Sequence, residues 1–241
     1  RFVLVDVSHP GNVGAAARAI KVMGFDDLVL VRPRWPDVLV RDEAIAMASG
    51  ATDVLARARI VGELGDALDG VDMVCATAMT PRDFGPPTHA PRPFFEALAA
   101  RPVPPARIGF VFGGERFGLG NEEVWRCHAC LSIPTAPDYG SLNLAQAVQL
   151  IAYEWRQAQG GYAVLPRTAT APVADAAALD GVIAHWRAAL EAVGYLDAQT
   201  PRRLMARLRQ LLNRAEPRSD EIHILRGIAR AMLAKARRPD A

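Results

Sequence analysis

Three short stretches of the chain combine glycine with side chains that can hold charge or exchange protons. The first is His9-Pro10-Gly11-Asn12-Val13-Gly14, directly after an apolar run and before a helical pattern that carries Arg18. A strand, a glycine turn and a helix start in that order suit a nucleotide, because amides at a helix start face an anion. The spacing is Gly11-x-x-Gly14, not G-x-G-x-x-G, and the second apolar run ends in Arg32 and Arg34 instead of an acid for a ribose hydroxyl. A dinucleotide carrying a 2′-phosphate, and hence an NADP-dependent oxidoreductase, stays open as an alternative. Asn12 stands at the expected helix cap. Arg18 lies off the stripe of Val13, Ala17 and Ile20.

The second stretch, Phe110 to Glu123, has four glycines in eight residues: Gly113, Gly114, Gly118 and Gly120. That is more than a turn needs, and it lets backbone come close to a ligand or to another segment. Glu115 among them requires hydrogen bonds if it is buried. In the third, Gly140, Ser141 and Asn143 crowd the start of a helix, where one capping residue would be enough. Cys127 and Cys130 have the spacing of half a zinc site, but no second pair completes four ligands. The pattern predicts buried thiols on a short strand and no metal.

The elements that must position these stretches alternate. Strands are expected in 1–7, 28–33, 71–79, 107–114 and 130–134. Helices are expected from Asn12 to Met23, in 41–51, 61–70 and 92–100, from Asn121 as a cap, and from about Asn143 to Gln159. This order predicts an α/β fold, a mainly parallel sheet with helices on both faces. Trp155 on the last of these helices suits a core or an interface equally. The texture changes at residue 160. The reading is a domain over 1–159, a linker over 160–173 and a helical extension over 174–241. In the extension Leu204, Leu208, Leu211 and Leu212 share one helix face. Arg203, Arg207 and Arg214 line one flank and Arg202 and Arg209 the other, with Glu216 the only local acid. This array suits an anionic polymer, and taken alone it fits a nonenzymatic RNA-binding module.

The chain has 241 residues, 51% of them hydrophobic, and a net charge of +2 too small to identify a partner. No apolar run approaches the roughly 20 residues of a membrane span, so no membrane association is expected. Three cysteines, an odd and low count, suit reduced thiols in the cytoplasm.

The order and distances of the three stretches resemble motifs one, two and three of the SPOUT methyltransferases, and within them the TrmJ family of tRNA 2′-O-methyltransferases. Asn12 and Arg18 match motif one. Glu115, Gly118 and Asn121 match motif two, and Ser141, Leu142 and Asn143 match motif three. The segment from Gly194 to Ile228 is similar to that family's helical extension. The stretch 81–105 is the least characteristic part of the methyltransferase region.

The resemblance implies a C-terminal trefoil knot, a rare exception to unknotted chains. It implies S-adenosylmethionine in a pocket of Thr77, Ala78, Met79, Gly113, Ile133, Gly140, Ser141 and Leu142. The implied reaction moves a methyl from a sulfonium to a ribose 2′-hydroxyl, with Arg18, Ser141 and Asn12 as catalytic residues. A guanidinium is a poor base. Arg18 is therefore expected to clamp a phosphate and stabilise oxyanion character. Ser141 would orient the hydroxyl or pass on its proton, and Asn12 would position Arg18 or the ribose. Glu115, Asn121 and Asn143 would support the knot and the subunit interface of a homodimer. The implied substrate is tRNA at nucleotide 32, cytidine or uridine, with Arg202, Arg203, Arg207, Arg209 and Arg214 contacting RNA. Another tRNA or rRNA site is the alternative.

Overall fold

The computed structural model describes residues 1–80, 82–165, 170–197 and 203–237. It divides into two compact units, Arg1–Ala163 and Val164–Ala241. The first runs β1 (Phe2–Val5), α1 (Pro10–Val22), β2 (Leu28–Val31), α2 (Asp42–Ala48), α3 (Thr52–Arg57), β3 (Arg59–Val61), α4 (Leu64–Leu68) and β4 (Met73–Thr77). It continues with β5 (Thr88–His89), α5 (Pro91–Ala99), β6 (Ile108–Phe112), α6 (Asn121–Trp125), β7 (Ala129–Leu131) and α7 (Leu144–Ala158). The sheet order is β3-β2-β1-β6-β4-β7-β5. Every pairing is parallel.

The central strands are almost wholly apolar because both faces are covered. Phe2, Leu4, Leu28, Leu30, Phe110 and Phe112 enter one core with residues of α1, α2, α5 and α7. Val3, Val5, Val29, Val31, Val74 and Val111 enter the other with Leu64 and Val124. Each fully buried side chain of this size contributes about 1.5–3 kcal/mol. Trp155 belongs to the core side: its ring packs edge-on at 5.5 Å from Phe95 and 6.3 Å from Phe110. Gly24, with φ of 75°, ends α1 as its position suggested.

Several expectations change. Strands β3 and β5 were not apparent in the sequence. Both are edge strands, so they lack the apolar continuity of the centre, and Arg59, Ile60, Thr88 and His89 are exposed. Asn12 does not cap α1: Pro10 opens the helix with His9 at the cap, leaving Asn12 inside the first turn. Asn121 is likewise not a cap. Gly120 holds that position, and its amide donates to Glu123 Oε2 at 2.6 Å. Cys130 lies on β7 but Cys127 precedes the strand; both are buried.

The second unit contains α8 (Ala176–Ala192), α9 (Leu204–Ala215) and α10 (Ser219–Ala236). Ile183, Leu190, Leu196 and Met205 form its core, with Leu204, Leu208 and Leu212 against it. Leu211 departs from the expected face and is 48% exposed. At 100° per residue it falls beyond Leu204, on the edge of the stripe away from Met205, which takes the buried position. Glu216 adopts a left-handed φ of 46° ahead of Pro217, which turns the chain from α9 into α10.

Candidate active site

In open parallel sheets ligands sit beyond the carboxyl ends of the strands. A cavity of about 420 Å³ lies there, beyond β4, β6 and β7. Its wall includes Thr77, Ala78 and Met79 from the end of β4, Gly113 from β6, Ile133 beyond β7, and Gly140, Ser141 and Leu142 before α7. All eight residues of the implied pocket thus meet around one space. The size lies within the usual range for small-molecule sites, about 300–1,000 Å³.

The glycines are there for clearance. A Cβ at Gly113 would overlap the main chain of Gly118 and Leu119, and one at Gly114 would overlap the carbonyl of Asp6. At Gly140 a Cβ would meet Thr135 Oγ1 at 2.8 Å and Met79 Sδ at 3.0 Å, both at the ends of side chains. Gly113 and Gly114 therefore pass other backbone with no room for a side chain, whereas Gly140 lies against the ends of two side chains.

One hydrogen-bonded chain joins the three motifs. Glu115 Oε2 accepts from Ser8 N at 2.9 Å and Ser8 Oγ at 2.7 Å; Oε1 accepts from His9 N at 3.2 Å and Asn12 Nδ2 at 2.7 Å. Burial acts to raise the Glu115 pKa, but the hydrogen bonds from Asn12 and Ser8 prevail and hold it at about 2. A carboxylate can only accept, which fixes the direction of every later bond. Asn12 must show it the amide nitrogen, so Asn12 Oδ1 accepts from Asn143 Nδ2 at 2.9 Å. Asn143 then turns Oδ1 to α7, accepting from Ala145 N at 2.9 Å and Gln146 N at 3.4 Å. The crowding before α7 has a division of labour: Asn143 caps and ties the helix, while Gly140 and Ser141 face the cavity.

Other expected site residues lie apart. Arg18 is exposed on α1 and does not line the cavity. Asn121 is exposed at the first position of α6. In the helical unit Arg203, Arg207 and Arg214 are exposed. Arg209 pairs with Asp180 at 2.6 Å, an acid on α8 that the local sequence around α9 could not reveal. Arg202 lies outside the described residues.

Arg32 does not offer a phosphate site. Its guanidinium donates to Asp6 at 3.1 Å and Glu123 at 2.8 Å, which removes the basis for a dinucleotide 2′-phosphate there. His128, inside the half zinc motif, accepts from Val74 N through Nδ1 at 3.0 Å. Burial pushes the Cys75 and Cys127 thiols up to about 12, which makes them inert.

Sequence reasoning missed Thr80, Arg82, Arg116, Phe117, Leu119, Leu144 and Ala147 in the cavity wall. Arg82 belongs to the stretch without a motif, and Leu144 and Ala147 read as ordinary core positions of α7. The cavity suits a molecule with an apolar and a polar part. Met79, Leu119, Ile133, Leu142 and Leu144 supply apolar surface, and Thr77 Oγ1 is buried without a hydrogen-bond partner among the described residues. Such an orphan awaits a polar ligand atom.

Comparison with known proteins adds to this geometry. Residues 1–153 match the SpoU rRNA Methylase family and residues 177–241 match the tRNA methyltransferase TrmJ C-terminal domain. The chain is 40% identical over 237 residues to tRNA (cytidine/uridine/adenosine-2′-O-)-methyltransferase TrmJ of Pseudomonas aeruginosa strain UCBPP-PA14, covering 95% of this chain and 91% of that one. It is 41% identical over 233 residues to tRNA (cytidine/uridine-2′-O-)-methyltransferase TrmJ of Photorhabdus laumondii, covering 95% and 94%. The crystal structure of TrmJ from Z. mobilis ZM4 superposes with a TM-score of 0.80 at 33% identity, covering 96% of this chain and 98% of that one.

Proposed function

The chain belongs to the SpoU methylase family, with a TrmJ C-terminal domain behind the methylase unit, and from that premise we propose that it is an S-adenosylmethionine-dependent tRNA ribose 2′-O-methyltransferase acting on nucleotide 32 of the anticodon loop. The observation that carries the reading is the cavity at the ends of β4, β6 and β7, where glycine turns and neighbouring side chains enclose a mixed apolar and polar pocket. Thr77 Oγ1 and the main chain of 77–79, 113 and 140–142 would hold the adenosine, and Met79, Ile133 and Leu142 would flank it. Bound there, S-adenosylmethionine supplies an electrophilic methyl on a sulfonium.

The protein's own task is to present the ribose oxygen in line and manage its proton. Ser141 is exposed at the cavity wall, where its hydroxyl can orient the 2′-hydroxyl or relay the proton. Arg18 would clamp the adjacent phosphate and stabilise the oxygen as negative charge develops. Asn12, held between Glu115 and Asn143, orients the start of α1 from which Arg18 extends. Arg18 lies outside this cavity wall, so the reading includes a homodimer in which a second copy brings Arg18 to the ribose. Asn121, the exposed last matched residue of motif two, would support that interface. Arg203, Arg207 and Arg214 would contact tRNA phosphates, adding affinity without choosing a base. The proposed location is the cytoplasm; no helix among the described residues is long and apolar enough to cross a membrane.

The test is methyl transfer from labelled S-adenosylmethionine to a tRNA with 2′-deoxyribose at nucleotide 32. The reading expects full incorporation into the all-ribose tRNA and none into the deoxy tRNA. Equal incorporation into both refutes the assigned position.

A further inference from the structure

Of the two guanidiniums in the cavity wall, one has a buried nitrogen left unpaired among the described residues. Arg82 lies on the loop between β4 and β5 and lines the cavity. Its Nε is buried without a hydrogen-bond partner among the described residues. Its remaining hydrogen bond, from a terminal nitrogen to the Leu119 carbonyl, is long at 3.4 Å. Glu115, the carboxylate that shares this wall, already accepts four bonds from Ser8, His9 and Asn12. Arg116 differs from Arg82: it is exposed, and its guanidinium sits over the Phe117 ring at 5.0 Å.

A guanidinium stays charged at physiological pH, and burying its donors unpaired is costly. The loop is nevertheless held in position. Trp125 Nε1 donates to the Asp83 carbonyl at 3.1 Å, tying it to α6. Arg82 therefore keeps an unpaired buried donor in the wall of a cavity whose acid among the described residues, Glu115, is already engaged. An anion arriving with the ligand would satisfy it. A planar carboxylate suits the fork of a guanidinium, and it is small enough to reach an Nε within the wall. A phosphodiester backbone is bulkier and would approach from the cavity's open side.

We propose that Arg82 binds the α-carboxylate of the cofactor's amino-acid end. This rests on the reading of the cavity as the S-adenosylmethionine site. It gives the segment that carries Arg82 a role in binding, and it makes the amino-acid end a determinant of affinity.

Calorimetric titration of the full chain separates the two claims. The ligands are S-adenosylhomocysteine and 5′-methylthioadenosine, which keeps adenine, ribose and sulfur but has no carboxylate. Wild type should bind the first more tightly. R82Q should weaken it roughly 10- to 100-fold, as expected for a lost charge-assisted bond, and leave methylthioadenosine unchanged. R82K should recover part of the preference. If R82Q weakens both ligands, R82K decides: a retained preference for S-adenosylhomocysteine supports the carboxylate contact, and a lost one overturns it. An unchanged ratio in R82Q overturns it as well, and lowered tRNA affinity alongside that unchanged ratio would reassign Arg82 to a substrate phosphate. If wild type binds neither ligand, the cavity reading fails first and the carboxylate contact with it.

Discussion

Replacing Glu115 by Gln tests the network that joins the three motifs. The four bonds to this carboxylate come from donors that cannot all turn around: the amides of Ser8 and His9, the Ser8 hydroxyl and the Asn12 amide group. A glutamine brings one NH₂ to this site. Placed toward Ser8, it faces a main-chain N–H that cannot reverse; placed toward Asn12, it faces the His9 N–H. Flipping Asn12 does not help, because its Oδ1 accepts from Asn143. At least one donor, part-buried at Ser8 or Asn12 or exposed at His9, is left facing a donor, at a cost of about 1–3 kcal/mol. Linkage expresses the same hydrogen bonds as a second figure. The gap between the ordinary 4.5 and about 2 corresponds to roughly 3 kcal/mol at one pH unit per 1.36 kcal/mol, and partial exposure of the carboxylate discounts this to about 1–2 kcal/mol. Because the folded pKa is depressed, the stabilisation is full above pH 4.5 and is lost as pH falls through about 2. The assay is urea denaturation followed by tryptophan fluorescence, since Trp35, Trp125 and Trp155 all belong to the first unit. Glu115→Gln should lose about 1–2 kcal/mol at pH 7, and its deficit should shrink as pH falls below 4.5. A variant within about 0.3 kcal/mol of wild type, or a deficit independent of pH, refutes the account.

Other substitutions separate the parts of the site. Gly140→Val should abolish cofactor binding by calorimetry while the urea midpoint stays close to wild type, because the new side chain meets only the ends of Thr135 and Met79; unchanged affinity would remove Gly140 from the pocket. Arg18→Ala should lose at least about 100-fold in single-turnover methylation with cofactor affinity intact, as for loss of a group that stabilises the developing oxyanion; a near wild-type rate would leave Arg18 a solvated helix residue. A chain ending at Ala163 should still bind S-adenosylmethionine but bind tRNA with a shallower salt dependence. Loss of contacts from Arg203, Arg207 and Arg214 lowers the slope by roughly 2, and equal slopes would return RNA binding to the first unit alone.

How much of the site the sequence disclosed depended on the kind of residue. Glycines at 113 and 140 were legible as close-approach positions because a missing Cβ permits close contact, and the structure supplies the backbone that Gly113 approaches and the side chains that Gly140 approaches. The requirement that Glu115 be hydrogen-bonded was also legible, from the cost of burying a bare carboxylate. Its partners were not: Ser8 and Asn12 lie more than 100 residues earlier in the chain. Asn12 was misread as a cap for the same reason. Locally it resembles a helix start, and only the arrival of Glu115 and Asn143 gives its side chain another task.

The sequence by itself determined the alternation of strands and helices, the burial of the sheet on both faces and the polar character of the three loops. These follow from short-range patterns of side chain and backbone preference, which act within a few residues. Tertiary structure alone decided which loops meet. It brought β6 between β1 and β4, set the edge strands β3 and β5, and gathered Thr77, Gly113, Ile133 and Gly140 around one cavity. It also left Arg82 Nε in the wall of that cavity without a partner among the described residues, although the local sequence gives no sign of it. The physical reason is range: propensity and patterning act along the chain, whereas charge pairing, steric clearance and cavity formation act through space between residues whose separation in sequence carries no record of their contact.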